Sequence, residues 1–197
     1  TPEIIENAMS YEEYRQLIDD LLEEGKTTGE KQSEGRTRYT RMNVQRMNRL
    51  DKTTELSETL LETLDDLDSE WIWLVLTEGW CGDAAQNVPV IHKIAEASPD
   101  ITLRFILRDE HPEIMDEYLT DGTRSIPKLI ALEADTLEEI GTWGPRPESA
   151  QNLVQEWKEN YSKKEWAEKL HKWYAENKTR DIQSEFESLI EEWNESQ

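Results

Sequence analysis

Residues 78–89 read Glu-Gly-Trp-Cys-Gly-Asp-Ala-Ala-Gln-Asn-Val-Pro and hold the one cysteine of the chain, Cys81. A thiol attacks as its thiolate, so its placement decides its chemistry. An apolar run precedes Cys81 and a helical pattern follows, which sets the sulfur at the first turn of a helix. There it meets unpaired backbone N–H groups and the positive end of the peptide dipoles, and both favour the thiolate. This predicts a pKa modestly below the reference of about 8.5, with the charge of Asp83 opposing. The same turn lies at the carboxyl end of a strand, where α/β sheets collect ligands. Three positions on, where a dithiol centre carries its second sulfur, stands Ala84. A lone thiol can attack a disulfide and form a mixed disulfide, but an outside thiol must then release it. The alternative is an inert cysteine on a domain that serves as an interaction or scaffold module.

Composition narrows the partners. The chain has 197 residues and a formal net charge of −22, from 44 acids against 22 Lys plus Arg. Such a surface repels nucleic acid and anionic membranes, so neither is expected as a partner. Eight tryptophans argue for a packed core rather than a disordered chain. One cysteine rules out an internal disulfide and a Cys-rich zinc site, and suits a reducing compartment such as the cytoplasm. No apolar run reaches the roughly 20 residues of a membrane span. His92, His111 and His171 have no ligand spacing, and no metal or cofactor is expected.

The elements that would position Cys81 follow from periodicity. Residues 71–77, WIWLVLT, and 101–108, ITLRFILR, are continuously apolar and β-rich, as strands buried on both faces should be. Between them 84–97 is helical, with Pro89 inside it. Strand–helix–strand at this spacing predicts a parallel pair with a right-handed crossover. Residues 127–133 and 137–143 have hairpin spacing. A short helix is expected from Pro112 to Gly122, and others over 54–67, 147–160 and the two stretches that follow. Upstream, Ser10 and Glu13 form a capping box for a helix to residue 24, a polar loop spans 25–35, and a further helix spans 36–50. The fold class expected is α/β: a mixed sheet flanked by helices, with added helices at both ends. The divisions expected are an N-terminal helical extension at 1–53, a central domain at 54–160, and a C-terminal helical extension at 161–197. The tryptophan stripes at helical spacing in the last segment read as core seams.

Trp80-Cys81-Gly82 at a strand–helix junction resembles the active-site turn of thioredoxins. Arg124-Ser125-Ile126-Pro127-Lys128 resembles their loop with a proline after a cis peptide, and Gly144 matches the glycine beyond the hairpin. Together these landmarks resemble a thioredoxin-like bacterial branch with a WCGDA turn and helical extensions, over roughly residues 54–160. The resemblance implies Cys81 as nucleophile. It implies Trp80, Gly82, Asp83, Ile126 and Pro127 as the surface that meets the partner, with the backbone of Ile126 pairing to an extended thiol substrate. The family's second cysteine aligns with Ala84 and its buried acid with Val75. With no resolving thiol, a buried carboxylate at that place would only cost desolvation energy. The function expected is monothiol exchange with a protein thiol or a small thiol such as glutathione.

Residues 36–50 carry five arginines and no acid. Arg38, Arg41 and Arg46, with Arg36 and Arg49, could form an anion site. The competing expectation is that they pair with the protein's own carboxylates. The helical ends also suit a homodimer contact.

Overall fold

Strand β1 (Trp71–Thr77) is the spine of the computed structural model, which describes residues 1–197. It pairs in parallel with β2 (Ile101–Leu107), from Trp71 opposite Ile101 to Thr77 opposite Leu107. On its other side it pairs antiparallel with β3 (Lys128–Glu133), which pairs antiparallel with β4 (Glu139–Trp143). The sheet order is therefore β2-β1-β3-β4. This is the α/β mixed sheet expected from the sequence.

Side chains alternate across the sheet with the period of two that a strand imposes. Trp71, Trp73 and Val75 face the larger core, together with Phe105, Leu129 and Trp143. Leu74 and Leu76 face a smaller one, with Ile106, Met115, Ile126 and Ile130. The larger core is closed by α5 (Gly82–Glu96), the crossover helix, and by helices from both ends of the chain. From the front come α2 (Tyr11–Glu23), where both halves of the Ser10–Glu13 capping box form, and α3 (Glu34–Thr53). Tyr14 is buried, stacks on Phe105 at 5.2 Å, and shares a 3.0 Å hydrogen bond with Thr77. From the back comes α9 (Arg180–Glu195), whose Phe186 meets Trp73 at 5.5 Å and Trp143 at 5.1 Å. Its Trp193 packs edge-on against Trp71 and Trp73. Gly141 on β4 permits this, because a Cβ there would stand 2.2 Å from the Trp193 indole nitrogen. The remaining helices are α1 (Pro2–Asn7), α4 (Glu58–Asp65), α6 (Pro112–Met115), α7 (Glu148–Asn160) and α8 (Lys163–Asn177).

One element is shorter than its sequence pattern. The helix expected from Pro112 to Gly122 ends at Met115. Asp121 and Gly122 take left-handed backbone, and Thr120 bridges Thr123, because the chain must turn back toward the loop before β3. The tryptophan stripe of α8 is a seam, as read: Trp166 and Trp173 are partly buried against Ala150, Val154 and Leu170. No helix is long and apolar enough to cross a membrane.

Candidate functional site

Thr77 ends β1, Glu78-Gly79-Trp80 turns the chain, and Cys81 is the residue that caps α5. Its Sγ accepts from the Ala84 amide at 3.4 Å, the place a serine hydroxyl takes at other helix starts. The thiol in turn donates to the carbonyl oxygen of Ile126 at 3.3 Å. The Ile126–Pro127 peptide is cis. Gly144 backs this loop at φ +119°, and a Cβ there would sit 2.2 Å from the Pro127 carbonyl oxygen, so glycine is required. Thus Trp80-Cys81-Gly82, Ile126-Pro127 and Gly144 are neighbours in space.

The thiol itself departs from expectation. Burial pushes it up to about 12, with the charge of Asp83 adding to the rise, while the amides of Ala84 and Asp83 pull the other way. The expected depression weighed the helix end against the charge of Asp83 and left out burial. Cys81 is half-buried and packs against both cores, so desolvation of the anion outweighs the amides.

Asp83 is a hub rather than a free carboxylate. Arg146 grips both of its oxygens, at 2.6 and 3.2 Å, and the Tyr174 hydroxyl donates to it at 2.6 Å. The pair is nearly buried, with the Arg146 and Asp83 side chains 10% and 11% exposed. Asn87 Nδ2 donates to the Asp83 carbonyl and to Tyr174, both at 2.9 Å. Arg146 lies between two prolines just past Gly144, a place the sequence marked only as the hairpin's end. Tyr174 and His171 come from α8, and no local signal tied that helix to Cys81.

Gly82 carries the closest approach of α8. A Cβ on Gly82 would meet the His171 ring at 2.8 and 2.9 Å. His171 is held neutral, its pKa lowered to about 4 by burial and by Arg46, against the charge of Asp83. Its Nδ1 lies 3.2 Å from Gln86 Nε2. Helix α8 therefore seats directly on the turn that carries the sulfur.

Trp80 lies between two guanidiniums, Arg36 at 4.2 Å and Arg108 at 4.9 Å from its ring centre. Such stacking is strongest where the cation is partly dry. Beneath it Glu78 is fully buried and accepts from the Thr28 hydroxyl and, at 3.0 Å, from the Asp109 amide. Burial raises its carboxyl above the ordinary range.

The arginine island splits. Arg38 and Arg41 line a shallow surface depression with Lys26 and Glu34, away from the sulfur. Arg46 reaches the Cys81 turn, where its Nη1 would lie 3.9 Å from a Gly82 Cβ and donates to Asn43 at 2.8 Å. Asn43 in turn donates to the Gly79 carbonyl at 3.0 Å. None of the five island arginines forms an ion pair, so the expectation that they pair with the protein's own carboxylates fails. Arg36 stacks on a ring, and Arg46 donates to the Asn43 side-chain oxygen on its own helix instead.

A helix-capping cysteine beside a cis-proline loop, on a parallel β1–β2 crossover closed by an antiparallel hairpin, defines a protein of thioredoxin-like fold. The chain belongs to the thioredoxin family, whose sequence profile, described as Thioredoxin, matches residues 29–158. It is 30% identical over 86 residues to a Streptomyces coelicolor protein named "Putative thioredoxin 2", across 42% of this chain and 59% of that protein. The match thus spans under two thirds of that relative's length. Among solved structures, a protein of unknown function from Pseudomonas aeruginosa aligns with a TM-score of 0.58 at 17% identity, over 93% of this chain and 98% of its own. An HIV epitope scaffold aligns at 0.56 and 16%, over 88% and 96%. These two likenesses concern the fold.

Proposed function

We propose that this protein exchanges thiols through Cys81 alone, as a member of a bacterial thioredoxin-like branch with a WCGDA turn. Residues 54–160 supply the thioredoxin-like unit, and residues 1–53 and 161–197 brace it. The reading rests on the 3.3 Å contact between the Cys81 sulfur and the Ile126 carbonyl, which sets the nucleophile against a backbone edge able to pair with an extended partner. In the first step the Cys81 proton passes to solvent base, and the thiolate attacks one sulfur of a disulfide. A Cys81–partner disulfide forms and the other sulfur leaves as thiolate. An external thiolate then attacks the partner's sulfur and restores Cys81. The net reaction is disulfide exchange, so no electrons are gained or lost overall. The partner is a thiol-bearing protein or a small thiol, in a reducing compartment such as the cytoplasm.

The raised thiol makes this slow at neutral pH, since little thiolate is present. The same observation favours a second reading, in which the site is chemically silent and the protein is an interaction module that pairs through its helical ends. Oxidised glutathione separates the two. Exchange predicts one glutathione adduct on Cys81 in the native protein, released by added thiol and absent in Cys81→Ser. A native protein that takes no adduct at alkaline pH, while the unfolded chain does, leaves only the interaction reading.

A further inference from the structure

Helices α2 and α3 run antiparallel, side by side. At one end Tyr11 and Arg15 of α2 donate to Asp51 of α3, at 2.9 and 2.6 Å. At the other, the Thr37 hydroxyl of α3 donates at 3.4 Å to the carbonyl of Gly25, just past α2. The start of α2 is therefore level with the end of α3, and the end of α2 with the start of α3. Their outer faces carry opposite charge. On α2, Glu12, Gln16, Asp19 and Glu23 recur at helical spacing, all exposed, on the side away from the buried Tyr14 and Ile18. On α3, Arg38, Arg41, Gln45, Arg49 and Lys52 do the same, away from the buried Thr40, Asn43 and Met47. None of these four cations forms an ion pair within the chain, and neither does Asp19 or Glu23. Glu12 has only a 3.9 Å approach to His92. Tyr39 and Met42, two of the five large apolar side chains left exposed, flank the basic row, which marks it as a face with something to cover.

We propose that this face pairs with the same face of a second copy, in a two-fold dimer whose axis runs parallel to α2 and α3. That rotation lays α3 of one copy on α2 of the other and keeps each residue at its own level along the axis. Asp19 and Glu23 of one copy then meet Arg41 and Arg38 of the other, and Glu12 meets Arg49 and Lys52. Each contact is made twice. A two-fold axis across the helices would instead set α2 on α2 and α3 on α3, acid on acid and base on base, so charge selects one orientation. A wholly acidic partner would suit α3 but bring its charge against α2. A second copy offers acid and base side by side in the order this face needs. Exposed ion pairs add little energy each, so they set the orientation while Tyr39 and Met42 supply apolar burial. Each copy carries a net charge of −22, which opposes association at long range. Salt at about 0.15 M screens that repulsion beyond about 8 Å, so the matched rows in contact decide. The pairing stands whether or not Cys81 exchanges thiols, because the steps at the sulfur use none of these residues.

Sedimentation equilibrium of the full chain, at about 100 μM in about 0.15 M salt, should show a species of twice the monomer mass, with a dissociation constant of about 10 μM or tighter. Two charge-reversed variants then test the orientation. Arg38→Glu with Arg41→Glu sets acid against Glu23 and Asp19 of the other copy. Asp19→Lys with Glu23→Lys sets base against Arg41 and Arg38. All four positions are exposed, so the fold should tolerate both variants. Each variant alone should have a dissociation constant at least about a hundredfold higher and run as monomer. Mixed in equal amounts, the two should form a one-to-one heterodimer, since every altered contact is again acid on base. Recovery on mixing also shows that both variants are folded. A native chain that stays monomeric at about 100 μM would overturn the proposal. A dimer that survives either double change would overturn it as well, and so would a mixture that stays monomeric.

Discussion

The sulfur of Cys81 lies 3.3 Å from the carbonyl oxygen of Ile126, so the thiol donates to the backbone of the loop that would otherwise meet a partner. A neutral thiol makes that hydrogen bond and a thiolate cannot. The contact and the burial of Cys81 therefore act together, keeping the proton on sulfur until a base removes it.

Stability should register this as pH rises. The Cys81 thiol moves from 9.0 to about 12 on folding, so the folded state holds the proton more tightly than the unfolded chain. The resulting stability is fully present below about pH 9 and is lost as pH climbs from there toward 12. Denaturation of the native protein and Cys81→Ser at pH 8 and pH 10.5 should show the native protein losing about 1 kcal/mol more across that interval, at 1.36 kcal/mol per pKa unit and discounted for partial exposure. Tyr11 and Tyr14, also raised by burial, are common to both proteins and cancel in the difference. Equal losses in the two proteins would count against a raised thiol.

Asp83→Asn should separate the charge of that residue from its fastening role. The change leaves the Arg146 guanidinium nearly buried without its carboxylate, which costs about 3 kcal/mol by analogy with broken buried pairs. It also removes the anion that raises Cys81, so alkylation at pH 8 should speed up several-fold in the folded variant. A stable variant with unchanged alkylation would show that Asp83 neither fastens α8 nor acts on the sulfur.

The fit of α8 on the active turn is open to a double-mutant cycle. Gly82→Ala places a Cβ within 2.9 Å of the His171 ring and should cost about 1–3 kcal/mol by overpacking. With His171→Ala beside it, most of that cost should vanish, a coupling visible in thermal unfolding. Additive effects would place the strain elsewhere.

The sequence carried the scaffold further than the chemistry. β1 was legible because WIWLVLT has no polar break, and Gly144 because it matches the glycine that thioredoxins carry beyond the hairpin; the structure adds that a side chain there would strike the Pro127 carbonyl. The protonation of Cys81 was not legible. The helix-end effect is local and can be read from spacing, whereas desolvation comes from Ile126 and from two cores that meet only in the folded chain. Tyr174 and His171 stand about ninety residues from the sulfur in sequence, and their helical spacing announces a seam without naming its partner. Arg36 was read as part of an anion site, and only tertiary contact shows it lying on Trp80.

The most direct test of the whole account is the iodoacetamide alkylation rate of Cys81 from pH 6 to pH 11, in native and unfolded protein. The native rate should lag the unfolded rate by at least about tenfold at pH 8, and should still rise about tenfold per unit above pH 9.5, where the unfolded rate levels off. A native rate equal to or above the unfolded one near neutrality, or a native thiol unreactive across the whole range, would contradict a sulfur that is reachable yet held protonated.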